Sequence, residues 1–218
     1  MKPVLIINPN GSQKTTQDMV GITSRYLPNV MGWTNHKGPK MIVDRDQLYE
    51  AANQISAAVF PEASALIVAA FGDPGAKKLA RSMDIPVIGI AAAAAREAAL
   101  SGVSFAVVTS TPKLAPSIDE IMRAERGDTY LGCYTTEDDP LVLASNSDAL
   151  DYALITSCEI AKKAGAKRII IGGGPLGQAA IRISSQVKVP LIQPLVAACR
   201  EVSALIEHQL PHVQDVDQ

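Results

Sequence analysis

Short runs of Val, Ile, Leu and Ala recur along the chain at residues 4–7, 66–69, 87–90, 106–108, 169–171 and 191–192. They are continuous rather than alternating, which predicts strands covered on both faces, as in parallel sheets. Each run ends in Gly, Asn, Pro, Ser or Thr and is followed by a helical pattern, so the chain reads as a series of βαβ units. Ser12, Thr15 and Thr16 offer caps for a helix through Met19. In "STPKLAPSIDEIMRAE", Ser117 stands before Asp119 and Glu120, acids suited to a first helical turn. "NSDALDYALITSCEIAKKAGAKR" predicts a capped amphipathic helix closing at Gly165. Residues 28–40, rich in Pro and Gly, predict a loop or edge region, and the tail "PHVQDVDQ" predicts a frayed end.

The pattern is stated twice. "ALIVAAFGDPGAKKLARSMDIPVIGIAAAAAREA" (65–98) and "KRIIIGGGPLGQAAIRISSQVKVPLIQPLVAACREV" (167–202) each give an apolar strand, a Gly-rich turn, a helix, a strand after proline and an Ala-rich helix carrying Arg-Glu. Pro86 matches Pro190, and Arg96-Glu97 matches Arg200-Glu201, all at an offset of 104 residues. Matched prolines and ion-forming pairs exceed what a shared period requires, which favours duplication. The predicted fold class is therefore α/β, with two pseudo-symmetric lobes of parallel sheet flanked by helices. The first lobe spans 1–98 and the second 99–194, with helix 195–210 returning to the first. In such a fold the carboxyl ends of the strands face a cleft between the lobes, where open α/β sheets take ligands.

Composition narrows the function classes. With 47% hydrophobic and 19% charged residues and a formal net charge of −2, the chain has no basic field to gather nucleic acid. The apolar run near the N-terminus is too short for a signal segment or a membrane span, and 4% aromatics leaves the core to Ala, Val, Ile and Leu. Cys133, Cys158 and Cys199 have no metal-binding or disulfide spacing, which suits a reducing cytoplasm. Cys158 and Cys199 read as apolar fillers inside helices, whereas Cys133 lies in a segment that could be exposed.

Four strand-end turns carry the candidate chemistry: "NPNGS" (8–12), "AFGDPG" (70–75), "TSTP" (109–112) and "GGGPLG" (172–177). Taken singly, each is what a tight βα turn needs. Taken together at one crevice, their backbone N–H groups suit a small anionic or imide-like substrate. "GGGPLG" lacks the spacing of a dinucleotide fingerprint, and no Walker pattern occurs, so a nucleotide cofactor is disfavoured. Asp73 is the one charged residue in these turns, a general-base candidate but better read as a turn-former or helix cap. His36, His208 and His212 have no ligand spacing and read as solvated.

Taken in order and spacing, "INPNGS", "AAFGDPG", "GVSFAVVTSTP", "GGGPLG" and "VPLIQPLVAA" resemble the aspartate/glutamate/hydantoin racemase superfamily, most closely its hydantoin and allantoin racemase branch, over nearly the whole chain. The resemblance implies an active site between two lobes, neither metal nor organic cofactor, and one cysteine from each lobe exchanging a proton on opposite faces of a stereocentre. By motif matching, Asn8, Asn10, Phe71, Gly72, Asp73, Thr109, Ser110, Gly174 and Pro175 would contact substrate. The two thiol positions fall on Ala70 and Gly173, with Gly174 the next-best alignment. Neither residue exchanges a proton through its side chain. Three accounts stand open: a Cys-to-Ala exchange made at 70 to trap substrate, a relative using Asp73, Thr109, Ser110 or Thr111 for isomerisation or decarboxylation, or a protein that binds a metabolite without turnover. Homo-oligomer formation is also open.

Overall fold

The computed structural model describes residues 2–209; the expected frayed tail and His212 lie outside the described residues, as does the side chain of His208. Two four-stranded sheets, every pair of neighbours parallel, organise the chain. The first runs β2-β1-β3-β4, with β1 Val4–Asn8, β2 Val30–Thr34, β3 Ala65–Val68 and β4 Val87–Gly89. The second repeats that order as β6-β5-β7-β8, with β5 Phe105–Thr109, β6 Tyr130–Thr135, β7 Arg168–Ile171 and β8 Leu191–Ile192.

The central strands divide their side chains with period two, as a pleated strand must. Val4 and Ile6 of β1, Ala65 and Ile67 of β3, Phe105 and Val107 of β5 and Ile170 of β7 share one core between the sheets. Their alternates build a separate core outside each sheet, Leu5, Ile7, Leu66 and Val68 in one and Ala106, Val108, Ile169 and Ile171 in the other. Continuous apolar runs are needed because both faces are covered.

Helices α1 (Gln13–Thr23), α2 (Arg45–Ser56), α3 (Ala76–Ser82) and α4 (Ile90–Ala99) follow β1 to β4 in turn. Helices α5 (Ala115–Arg126), α6 (Pro140–Ala144), α7 (Ser147–Lys163), α8 (Gly177–Ile183) and α9 (Pro194–Gln209) follow the second set. Ser12 caps α1 by accepting from the Thr15 amide, and Asn146 caps α7. The helix in "STPKLAPSIDEIMRAE" starts earlier than its polar residues suggest. A single 3-10 turn at Pro112–Leu114 leads directly into α5 at Ala115, because Pro116 suits a first helical turn, and Ser117 lies inside the helix.

The last helix of each half crosses to the other sheet: α4 lies against α5 and β7, and α9 against α1 and β4. Where they meet, Arg96 Nη2 donates to Glu201 Oε1 at 2.8 Å and Arg200 Nη1 to Glu97 Oε1 at 2.6 Å. The matched Arg-Glu pairs thus bond reciprocally, as residues do across a two-fold interface. The matched prolines are explained as well. Each precedes an edge strand, where its missing N–H costs no ladder bond, and its carbonyl accepts from the neighbouring strand at Leu66 or Ile169.

Candidate functional site

The last ladder pairs of the inner strands are Ile7 with Val68 and Val108 with Ile171. The next amides close each ladder, Ala69 N donating to Ile7 O and Gly172 N to Val108 O, both at 2.8 Å. Ala70 and Gly173 therefore stand at equivalent steps beyond the two sheets. Both line one cavity of about 40 Å³ between the lobes, with Asn10, Phe71, Thr109, Ser110, Thr111, Gly174 and Pro175 around it. That volume holds about three waters at most. Met41 and Ile42, from the segment joining β2 to α2, and Leu48 of α2 complete the wall, so a ligand-sized space requires this apolar cap to move.

The predicted contacts separate into two groups. Asn8 is fully buried and bound inward: its Nδ2 lies 2.9 Å from Asn10 Oδ1, 3.0 Å from Ser12 O and 3.0 Å from Thr16 Oγ1, while its Oδ1 accepts the Asn10 amide. It does not line the cavity; it holds the turn that presents Asn10. Asn10 Oδ1 also accepts from the Ser12 amide, and its own Nδ2 makes no hydrogen bond among the described residues. On the facing lobe, Thr109 Oγ1 and Thr111 Oγ1 lie 3.0 Å apart, and the Ser110 hydroxyl has no partner among the described residues. The backbone N–H groups of Ser110, Thr111, Gly173 and Gly174 are likewise unbonded there. A cavity with donors from both lobes suits a carbonyl or carboxylate oxygen.

Glycine is required at two of these steps by contact. A Cβ at Gly172 would sit 2.7 Å from the Phe71 ring, and one at Gly174 would strike the Ala69 carbonyl. Gly173 is constrained by its backbone, with φ 146° and ψ 129°, a region that L-residues rarely enter.

Gly72 and Asp73 face away, into a neighbouring hollow. At φ 47°, Asp73 turns its carboxylate onto the N-terminus of α4, accepting from Ala91 N and Ala92 N at 2.8 Å each. Burial pushes its pKa up from 3.8 to about 7, against the opposing pull of those two amides and Arg96. The geometry is that of the cap reading. The cysteines line no wall of the cavity, and burial pushes each thiol up to about 12. Cys133 lies on β6, half-buried against the shared core, and His36 lines a hollow beside Trp33.

Sequence reasoning missed the apolar cap, because Met41, Ile42 and Leu48 carry no motif and reach the cavity only through the fold. It also missed Leu114 and Leu176, which join the same wall.

The family model for Asp/Glu/Hydantoin racemase matches residues 4–202. The hydantoin racemase of Paenarthrobacter aurescens is 26% identical over 216 residues, covering 93% of this chain and 90% of that protein. Among solved structures, the allantoin racemase of Pseudomonas fluorescens superposes with a TM-score of 0.88 at 22% identity, over 99% of this chain and 100% of its own. That of Klebsiella pneumoniae gives 0.83 at 25% identity, over 96% and 89%. With the family model spanning nearly its whole length, the chain belongs to the Asp/Glu/hydantoin racemase family.

Proposed function

We infer that the protein is a cofactor-independent, racemase-type member of its family whose cleft takes a small hydantoin, ureide or amino-acid-like acid. The frame is a pseudo-two-fold pair of lobes, 1–98 and 99–194, with residues 70 and 173 reaching opposite faces of the ligand's stereocentre. Asn10, Ser110 and the free amides of Ser110, Thr111, Gly173 and Gly174 would hold and polarise a carbonyl, lowering the cost of the enolate formed when a neighbouring carbon loses a proton.

The observation that carries this reading is the cavity wall itself: among the described residues, no Lys, Arg, His, Asp, Glu or Cys is part of it. A second carboxylate would be desolvated there without a cation, so aspartate, glutamate and the dicarboxylic acid of a decarboxylase fit poorly. A hydantoin or ureide with an apolar substituent against Met41, Ile42 and Leu48 fits better. Proton exchange is correspondingly slow. With Ala70 and Gly173 where the thiols would stand, the proton passes to and returns from solvent water, and a general-base contribution of roughly 10²–10⁴ is forfeited.

The test is solvent deuterium uptake at the stereocentre, followed with polarimetry, for substituted hydantoins, allantoin, aspartate and glutamate. Expected are binding of the first two classes, slow exchange by the parent and faster exchange by Ala70→Cys. Binding with no exchange by the parent above the uncatalysed rate, or preferential binding of glutamate, would overturn the reading.

A further inference from the structure

Behind the cleft lies a second hollow of about 520 Å³, within the range of small-molecule sites and far larger than the cleft cavity. Leu48 is a wall of both, and the two are back to back across the turn after β3. The closeness is tight: a Cβ on Gly72 would sit 2.9 Å from Leu48 Cδ1. The hollow bridges the lobes, since α2, α3 and α4 meet Ser117, Ile121 and Glu125 of α5 across it.

Its walls combine apolar surface with an uneven charge balance. Ala52, Pro74, Ala76, Val87, Ala92 and Ile121 give the body of the space. Four cations, Arg45, Lys77, Lys78 and Arg96, stand against two acids, Asp73 and Glu125. Both acids are engaged within the protein, Asp73 by the α4 amides and Glu125 by Arg96 Nη1 at 2.8 Å. Arg96 is in turn held by Glu201. At the rim, Lys77 and Lys78 form no ion pair among the described residues, and Arg45 meets Glu120 only at 3.5 Å with both side chains exposed. The charge left over is therefore positive. Inside, the Ser117 hydroxyl, on a residue only 9% exposed, faces the hollow with no hydrogen-bond partner among the described residues. That oxygen is not sealed from solvent, so a ligand oxygen can bond it.

We propose that this hollow is a second binding site, distinct from the cleft, for a compact monoanion with an apolar body, its carboxylate met by Lys77, Lys78 and Ser117 and its aryl or alkyl group seated between α2, α4 and α5. The site stands independently of any turnover in the cleft. Nothing in it depends on residues 70 or 173.

The probes are phenylacetate and its neutral analogue phenylacetamide, titrated calorimetrically into the whole protein, with amide shifts in the nuclear magnetic resonance spectrum reporting the location. Saturable phenylacetate binding is expected, with shifts at residues 75–78 and 117, weakened by higher salt. Lys77→Ala with Lys78→Ala, both exposed and outside the core, should weaken it by about tenfold. Ala80→Trp, from another exposed position on the wall, should block the space and abolish binding while leaving the thermal transition in place. Ser110→Ala, in the cleft, should leave the affinity unchanged. Equal binding of phenylacetamide, binding that survives both outer-site changes, or no saturable binding at all would overturn the proposal.

Discussion

The turns after β3 and β7 leave their sheets at the same step and then part company. In the first, Ala70 keeps an ordinary negative φ, and the left-handed backbone falls later, on Gly72, Asp73 and Gly75. In the second it falls on Gly173 itself, the equivalent of Ala70. The first position has a backbone open to any L-residue; the second has a conformation open to glycine. Position 70 can receive a thiol within its present backbone, whereas position 173 cannot. The contrast extends five residues beyond each sheet, where Asp73 in the first lobe corresponds to Leu176 in the second. At the heads of the crossing helices, Gly89 before α4 corresponds to Gln193 before α9. Among the described residues, a carboxylate caps the crossing helix in the first lobe alone.

The sharpest way to break this contrast is Gly89→Ala. A Cβ there would collide with the Asp73 carboxylate. Displacing it from two amides should cost about 3 kcal/mol, read as a lower urea midpoint. Next comes cysteine at the two equivalent sites. Gly173→Cys should lose about 1–3 kcal/mol through its backbone and through contact with Leu176, while Ala70→Cys stays within about 1 kcal/mol. Equal losses would mean that the turns are not the different structures described.

The carboxylate itself gives a pH test. Folding raises the Asp73 pKa from 3.8 to about 7, so its stabilising contribution is complete below the unfolded value and is lost as pH rises through the folded one. Asp73→Asn should flatten the fall in stability across that window and cost about 1 kcal/mol below it, as a weakened cap. A slope unchanged by the substitution would show that Asp73 does not titrate as its surroundings require. The smallest effect is expected at the reciprocal ion pairs. Arg96 is 36% exposed and serves two acids, whereas Arg200 is 61% exposed and serves one. Arg96→Ala should cost about 1 kcal/mol and Arg200→Ala about half that, in thermal melts at low salt.

The legible part of the fold was its buried part. Strands covered on both faces announce themselves as continuous apolar runs, and each of the six runs marks a strand, two of them overrunning it by one residue, at Ala69 and at Ile90, which opens α4. The two strands without such a run, β2, within the segment read as a loop or edge region, and β6, are edge strands with half-exposed faces and a glycine each, Gly32 and Gly132. The candidate site divides likewise. Asn10, Phe71, Thr109, Ser110, Gly174 and Pro175 reach the cavity from turns that motif order identified, but Asn8, Gly72 and Asp73, from the same turns, do not. Membership of a turn does not specify which way each of its side chains points.

By itself the sequence determined the alternation of strand and helix, the duplicated plan and the absence of thiols at positions 70 and 173, because these are matters of period and identity along the chain. Tertiary structure alone decided that the matched Arg-Glu pairs bond crosswise, that Asp73 turns onto a helix and that an apolar segment seals the cleft. Each depends on groups distant in sequence meeting at a few ångströms, and on backbone angles fixed by that meeting. Local pattern carries no record of either.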